Sequence, residues 1–477
     1  MLSIVASFVF WLGWVGFFTI TWSHVLVKEA AGWWSSCANC WGDWSAHLAY
    51  TTSFAYGHNF PPQLPIMAGH KFSYPFLIDW LSAILVKLGL DLRWALIIPG
   101  WILSLILIWL IVRLGQKLTG SLAVGRLASL IFLFNGGKKF LNIVVAQLMP
   151  QRGWLLGMSL GIIIYLLFWQ WLEKKQKKYL LIAGIIAGCL PLIHLHSLAA
   201  VIFVAGWLVI FNFSRQWLYF FLPLALLATP QILSFYSLGL HLIKFNPQWL
   251  GLDLGLVIIL GLIGFIKADK RLKKFVLPFW GLFILASLFV FQPFDWDNTK
   301  IFDHWYLMLA ILASLALQKM WQKSWWLKIG AGILFGLMIW PGLAETIKFN
   351  QYQKNKYLFF GNEELALAEV GKKNIPPQAV VLTASNHNHW LPTLTGRKIV
   401  LGYTAWLWSY GVNYQQREAD VKLMYQTGSK SLLEKYKVNY VLIGPEERRQ
   451  FRVNEAWFNK NFPVIELNRE NKLYQIN

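Results

Sequence analysis

The sequence is poor in charged residues. Asp, Glu, Lys and Arg make up 14% of its 477 positions, whereas soluble domains carry about 25%. Uncharged stretches such as Trp101–Val112, Gly161–Trp171 and Leu254–Ile266 take their place, and the mean hydropathy is +0.47. The period-two alternation of barrel strands is not visible. Because a helix needs roughly 20 apolar residues to cross a bilayer, the sequence predicts an α-helical polytopic membrane protein.

Acidic residues are scarcer than basic ones. There are 22 Asp and Glu against 43 Lys and Arg, which gives a formal net charge of +21. In a soluble protein this charge would indicate a nucleic-acid partner. Here much of the basic excess lies in short loops between apolar segments, which indicates the positive-inside bias and attraction to anionic lipid. We therefore expect membrane lipid, and no nucleic acid, among the partners.

Cysteine is also rare, and three residues are too few for a disulfide framework. Cys37 and Cys40 form a C-x-x-C in the first loop, where a local disulfide or an incidental pair is expected rather than a redox or metal site. Cys189 lies in an apolar segment and is expected to pack there. The first residues, Met1–Ile20, lack the basic region of a signal peptide, so we interpret them as an uncleaved first span.

The apolar runs predict about eleven membrane segments. These segments cover residues 3–22, 94–112, 120–135, 153–172, 179–193, 197–212, 217–237, 250–266, 275–291, 304–319 and 327–341. Between the fifth and sixth segments lies a polar break, Pro191–Ser197. The break either joins two short helices or kinks a single helix, and the second option would reverse the topology of everything after it.

The distribution of basic residues distinguishes between these two options. If the amino terminus is inside, one set of alternate loops holds most of them: Arg113, Lys117, Lys174, Lys175, Lys177, Lys178, Arg215, Lys267, Lys270, Arg271, Lys273, Lys274, Lys319 and Lys323. The other short loops hold few, with Lys138, Lys139 and Arg152 as exceptions. The positive-inside rule therefore favours eleven spans in the cell membrane and a cytoplasmic amino terminus. The long first loop, 23–93, and the carboxyl-terminal region then face outward.

The character of the sequence changes near residue 342, where acidic residues become frequent. Ala379–Thr383 and Tyr440–Ile443 are predicted to be strands, and Ser431–Tyr436 a helix. No internal repeat or transporter-like duplicated half is apparent. We predict a transmembrane domain over 1–341 that includes the long first loop, and a small extracytoplasmic α/β domain over 342–477.

The long first loop holds two polar groups. Asp43 and His47 would lie on one face of a helix at i and i+4, which suits a general base or a metal site as well as the polar face of an interfacial helix. The second group, from Asn59 to Asp79, contains prolines and glycine that force irregular backbone. Such a loop either caps the bundle or binds substrate.

Two further groups fall at the ends or breaks of membrane segments. Gln151 and Arg152 lie at the outer mouth of the fourth segment, where a guanidinium needs an anionic partner. A lipid phosphate fits that need, and so does a carboxylate such as Asp43. His194 and His196 flank the polar break, and polar residues at such depth are functional candidates.

The densest polar patch precedes the tenth segment. It comprises Asp295, Trp296, Asp297, Asn298 and Lys300, and it is followed by Asp303 and His304. An aromatic ring among carboxylates and an amide suits a sugar, D-x-D suits a divalent cation, and Lys300 suits a phosphate. The alternative is a solvated loop.

In the carboxyl-terminal region, polar and aromatic residues follow a predicted strand end. His389, Arg397 and Tyr403 are the candidates there for a binding edge. Under the predicted topology, Asp43, Arg152, His194, Asp297 and His389 all face the outer side.

This layout resembles the GT-C glycosyltransferase superfamily, the architecture of protein O-mannosyltransferases and aminoarabinose transferases, and is similar to the family 39-like transferases. The likeness extends over the whole chain: a long outer loop after the first span, many spans and an outer carboxyl-terminal domain. In that superfamily an acidic residue of the first outer loop is the catalytic base, and Asp43 in Gly42-Asp43-Trp44 occupies the matching place. The paired acidic motif of the O-mannosyltransferases is absent, since Gly42 precedes Asp43.

The resemblance implies an enzyme that takes a sugar from a polyprenyl-phosphate or -diphosphate donor at the outer leaflet and transfers it to a hydroxyl with inversion. Asp43 would be the base, and Arg152 and Lys300 would bind the departing phosphate. No cofactor is required, and a divalent cation, Mg²⁺ or Mn²⁺, is optional, with Asp43, His47 and Asp297 as candidate ligands. The alternatives are a transporter or flippase of a lipid-linked precursor, and a non-catalytic membrane assembly protein.

Overall fold

The computed structural model describes residues 2–136, 142–236, 241–242 and 254–476, and Lys138 and Lys139 lie outside these ranges. Its helices are α1 Leu2–Ser23, α2 Cys40–Ala55, α3 Leu77–Lys87, α4 Leu92–Thr119, α5 Leu122–Phe134, α6 Arg152–Lys174, α7 Lys177–Cys189, α8 Leu195–Phe211, α9 Leu218–Phe235, α10 Gly255–Lys267, α11 Lys270–Leu288, α12 Thr299–Trp321, α13 Trp325–Phe349, α14 Tyr352–Asn355, α15 Asn362–Asn374, α16 Thr404–Ser409, α17 Gln415–Thr427, α18 Lys430–Lys435, α19 Pro445–Gln450 and α20 Glu455–Asn461. Its strands are β1 Val27–Glu29, β2 Gly32–Ser35, β3 His241–Leu242, β4 Phe289–Val290, β5 Tyr357–Gly361, β6 Val380–Leu382, β7 Lys398–Ile399, β8 Tyr440–Ile443, β9 Val464–Glu466 and β10 Lys472–Gln475.

Each predicted membrane segment coincides with a helix, namely α1 and α4 to α13. Within the described ranges, six helices are long and apolar enough to cross a membrane, and α5, α8 and α10 are shorter apolar helices. Helices form here because a backbone in hydrocarbon must satisfy its hydrogen bonds internally. Helix α12 is the core of the bundle, since Thr299 to Leu317 are all buried. The chain is therefore a polytopic helical membrane protein, and eleven remains a predicted number of spans.

Contacts along α12 fix the direction of its neighbours. The Tyr306 hydroxyl donates to the carbonyls of Ile131 and Asn135 near the end of α5. Gln318, near the end of α12, reaches back to Ser121 just before α5 begins. Helices α5 and α12 are therefore antiparallel, as an alternating bundle requires.

The polar break between α7 and α8 joins two separate helices. A single 3₁₀ turn, Leu190–Leu192, follows α7. The end of α7 lies beside the second half of α9, where the Gln231 amide donates to the Gly188 carbonyl. The start of α9 lies instead beside the end of α6, where Trp217, just before α9, meets Trp171 edge-on with ring centroids 4.9 Å apart. Helix α8 must therefore return along the bundle, which confirms the two-helix option.

The chain divides into two compact units. The first, called the bundle unit, holds residues 1–24, 98–233 and 238–355, and the second, called the α/β unit, holds 25–97, 234–237 and 356–477. The predicted boundary at 341 instead falls inside α13, which continues through Pro341. The first loop belongs to the α/β unit because strand β2 pairs with β5, with Trp33 opposite Phe360.

The α/β unit contains two sheets. One is antiparallel, in the order β1-β2-β5, and the other has the order β7-β6-β8-β10-β9. In the second sheet β6 is parallel to β7 and β8, whereas β10 is antiparallel to β8 and β9. The strands predicted at 379–383 and 440–443 appear as β6 and β8, and the helix predicted at 431–436 as α18. Cys37 and Cys40 form a disulfide at the start of α2, which is one of the two predicted alternatives.

Candidate functional site

Asp43 lies in the first turn of α2 and is half-buried. A carboxylate there is favoured by the helix dipole. From Trp44 onward, α2 is buried to its last residue, whereas Trp41 is 48% exposed. The first turn of α2 therefore carries Asp43 out of the core of the α/β unit, whereas the rest of the helix is buried in it.

His47 pairs with Asp79, which ends the second polar group of the first loop. Its Nδ1 lies 2.9 and 3.1 Å from the two carboxylate oxygens of Asp79, and both side chains are almost fully buried. Asp79 stands in the first turn of α3, so the pair joins α2 to α3. The sequence suggested that His47 acts together with Asp43, but the Nδ1 atom of His47 contacts Asp79 instead. The sequence signal for Asp79 is a single acidic residue in the otherwise uncharged stretch 77–86.

The loop from 386 to 390 packs beside the first turns of α2. Asn388 accepts a hydrogen bond from the Ser45 hydroxyl at 2.9 Å and donates to the Phe359 carbonyl. His387 lies against Trp41, with ring centroids 3.4 Å apart, and 5.5 Å from the ring of the half-buried Tyr403. The His387 Nε2 atom is buried without a hydrogen-bond partner. Tyr403 and His387 thus belong to the same aromatic and polar surface as Trp41.

Two other predicted residues of this unit have structural contacts. His389 Nε2 lies 3.1 Å from Glu447, and its Nδ1 accepts the Leu391 amide. Burial would raise the pKa of Glu447, but hydrogen bonds from His389 and a backbone amide more than offset it, so the pKa lies below its ordinary value. The buried Arg397 guanidinium donates to the carbonyls of Ile375, Thr395 and Lys372. These contacts hold the fold together, and substrate binding by His389 or Arg397 stays a prediction.

In the bundle unit, the predicted phosphate ligands lie at helix starts. Arg152 is the first residue of α6 and is buried, and Gln151 is the half-buried residue before it. Lys300 stands in the first turn of α12 and lies 2.8 Å from Asp297. Both side chains of that ion pair are largely buried. A helix start suits an anion, because the first backbone N–H groups of the helix are unpaired.

The patch before α12 forms one 3₁₀ turn over Asp295–Asn298. Trp296 is half-buried. Asn298 is buried, and its amide donates to the carbonyls of Ala286 and Phe289, which ties this turn to the end of α11. Among the described residues, no group of three or more His, Cys, Asp or Glu could hold a metal ion. The optional cation at Asp43, His47 or Asp297 therefore stays a prediction.

The predicted His194 belongs to a chain of buried hydrogen bonds that also includes Ser197 of the polar break, His304 and Tyr165. His194 Nδ1 lies 2.8 Å from the Ser197 hydroxyl, which lies 3.1 Å from His304 Nε2. His304 Nδ1 lies 3.0 Å from the Tyr165 hydroxyl. We call these four residues the histidine relay. Tyr165 carries the one hydroxyl in the apolar run 161–171, but its partner on α12 is set by packing alone.

Glycines on α6 make room for the histidine relay. A Cβ at Gly157 would overlap the His194 side chain, and one at Gly161 would lie 3.0 Å from His304 Cε1. His196 is buried beside His194, with ring centroids 5.4 Å apart, and Lys300 and Asp297 interact electrostatically with it.

Asp303 is a further buried polar residue of the bundle unit. One of its oxygens accepts the Trp154 indole N–H at 2.8 Å, and the other has no hydrogen-bond partner. The cation of Lys300 interacts with this carboxylate. The start of α12 therefore concentrates ionisable groups among apolar helices, which is typical of a functional site.

Solved structures with a similar fold include ArnT and an oligosaccharyltransferase. ArnT from Cupriavidus metallidurans in the apo state matches with a TM-score of 0.57 at 10% identity, over 97% of this chain and 98% of that chain. ArnT from the same organism bound to undecaprenyl phosphate matches with a TM-score of 0.55 at 9% identity, over 99% of this chain and 97% of that chain. The apo oligosaccharyltransferase of Archaeoglobus fulgidus matches with a TM-score of 0.53 at 12% identity, over 95% and 73% of the two chains.

No family model and no curated protein sequence matches the chain. The structural matches show the fold, which is similar to that of ArnT and of the oligosaccharyltransferase.

Proposed function

We propose that this protein is an inverting membrane glycosyltransferase that moves a sugar from a polyprenyl-phosphate-linked donor to a hydroxyl acceptor at the outer leaflet. The observation that carries the proposal is the end-to-end fold match to ArnT, which covers nearly all of both chains. One of those structures holds undecaprenyl phosphate. The same carrier chemistry suits the present chain, because Arg152 and Lys300 stand at helix starts of its bundle unit.

The proposed chemistry uses a carboxylate and cations. Asp43 removes the proton of the acceptor hydroxyl as its oxygen attacks the anomeric carbon, and the sugar–phosphate bond breaks on the opposite face, which inverts the configuration. Negative charge grows on the departing polyprenyl phosphate, where Arg152 and Lys300 stabilise it. Because the lipid phosphate is already a good leaving group, the proposal does not require a metal.

The test is Asp43→Asn, which keeps the size of the side chain and removes the base. In purified protein supplied with polyprenyl-phosphate-linked sugars from its native membranes, we expect transfer to fall about 10²–10⁴-fold. Asp91→Asn is the matched control, since Asp91 is an exposed carboxylate of the same loop, and it should retain wild-type turnover. Retention of full turnover by Asp43→Asn would remove Asp43 from the mechanism.

A flippase or an assembly protein would behave differently in the same assay. Such a protein would leave the lipid-linked sugar intact, with or without Asp43. Consumption of donor by the wild type, coupled to the appearance of free polyprenyl phosphate, therefore separates the enzyme from both alternatives.

A further inference from the structure

Hydrogen-bond directions in the histidine relay are fixed by one backbone contact. The Ser197 backbone N–H donates to His194 Nδ1 at 3.2 Å, so this nitrogen carries no proton. The Ser197 hydroxyl, 2.8 Å from the same nitrogen, must then be a donor to it. A neutral imidazole has one N–H, and in His194 that N–H is therefore at Nε2.

The rest of the relay follows from that assignment. The Ser197 hydroxyl donates its one hydrogen bond to His194 Nδ1, so its oxygen accepts the N–H of His304 Nε2, 3.1 Å away. His304 Nδ1 is then an acceptor, and the Tyr165 hydroxyl, 3.0 Å away, donates to it. Three hydrogen bonds thus point the same way, from Tyr165 to His194.

The relay ends at a donor without an acceptor. His194 is 6% exposed, and its Nε2 is buried without a hydrogen-bond partner. Leaving a buried donor unpaired is unfavourable, so such an atom indicates a ligand. The ammonium group of Lys300 is close enough to interact electrostatically with His194, and a cation beside an unpaired donor favours an anionic oxygen as that ligand.

We infer that Ser197, His304 and Tyr165 are positioning residues that hold His194 as a neutral imidazole, with Nε2–H directed at a phosphate oxygen of the lipid carrier. This inference rests on the proposed function and adds residues to it. A protonated His194 would carry Nδ1–H, which conflicts with the two donors of Ser197. The relay therefore keeps His194 a hydrogen-bond donor without placing a second full charge beside Lys300.

The test measures binding rather than turnover. The dissociation constant of undecaprenyl phosphate is determined for the detergent-solubilised full chain, wild type and variants. Ser197→Ala removes the hydroxyl that orients His194, and we expect it to weaken binding about tenfold. Ser197→Thr restores a hydroxyl and should recover most of the affinity. Ser159→Ala is the matched control, because Ser159 is a buried serine whose hydroxyl donates to the Leu155 carbonyl.

A spectroscopic measurement on the wild type keeps the inference testable if Ser197→Ala fails to fold. In ¹⁵N-histidine-labelled protein, with the His194 signals assigned by His194→Gln, we expect proton-free Nδ1 and protonated Nε2. Addition of undecaprenyl phosphate should shift the Nε2 signal.

The outcomes separate the inference from the proposed function. Failure of the wild type to bind undecaprenyl phosphate would overturn both. Wild-type binding with no difference between Ser197→Ala and Ser159→Ala would overturn the inference alone, and so would a proton found on His194 Nδ1.

Discussion

Burial sets the charge of His387, which lies against Trp41 in the α/β unit. It lowers the pKa of His387 from 6.5 to about 4, so the folded protein binds a proton there less readily than the unfolded chain. Stability from this group is therefore complete above about pH 6.5 and is lost as the pH falls towards 4. We expect the unfolding temperature to fall over that window in the wild type.

His387→Phe supplies the comparison, because a phenyl ring can lie against Trp41 and does not titrate. Its unfolding temperature should depend less on pH between 6.5 and 4 than that of the wild type. Equal slopes for the two proteins would show that His387 does not cause the loss. Glu447 is present in both proteins, and its lowered pKa means that its own contribution to stability is lost at low pH in both. It therefore does not cause the difference between them.

The residue type at a single position predicted the location of a polar group well. It did not predict which residues that group contacts. The sequence places Asp43 in a helical first turn and His194 at a helix break, and the structure does the same. The sequence gives no sign that His47 contacts Asp79, or that His304 contacts Ser197 and Tyr165. Such contacts depend on helix packing, whose rotation and register no short motif reports.

At the scale of elements, Gly396 packs against the last turn of α2, and its replacement should have a measurable effect on stability. Gly396 has φ +73°, and an added Cβ would overlap the Thr52 carbonyl of α2. Gly411 has a similar φ of +70° but has nothing within 4 Å of such a Cβ. Alanine at either position costs about 1–2 kcal/mol of unfolding free energy for the left-handed backbone.

Gly396→Ala should lose roughly 1–3 kcal/mol more unfolding free energy than Gly411→Ala, because the added Cβ would push residue 396 away from α2. Denaturant or thermal unfolding of the two variants measures the difference. Equal losses would mean that the close approach of Gly396 to α2 does not exist in solution.

Helices were more predictable than sheets. Uninterrupted apolar runs located each bundle helix, although α4 and α13 extend well past their predicted ends. Pro191 with His194 marked the break, because proline disfavours a continuous helix and His194 accepts the Ser197 amide as a cap. The sheet β1-β2-β5 was not predicted. Its central pairing joins residues 32–35 to 357–361, and nothing local in either short strand specifies a partner so distant in sequence.

For the whole molecule, the alternation of the bundle helices brings basic loops to one end. The ion pair of Lys117 with Glu173 joins the ends of α4 and α6, and both helices lead into loops of the basic set. The division into units was less predictable. The predicted boundary at 341 followed the end of the apolar run, whereas α13 extends to Phe349 and the first loop folds with the carboxyl-terminal region.

Sugar transfer at the outer leaflet requires Asp43 and Asp297 to lie on that side of the membrane, and cysteine labelling tests this requirement most directly. Asp43→Cys, Asp297→Cys and Arg271→Cys are made separately with Cys189→Ala, since Cys37 and Cys40 are joined. We predict that a membrane-impermeant maleimide labels positions 43 and 297 in intact cells, and position 271 only after permeabilisation. Labelling of positions 43 and 297 from opposite sides would contradict the proposed enzyme.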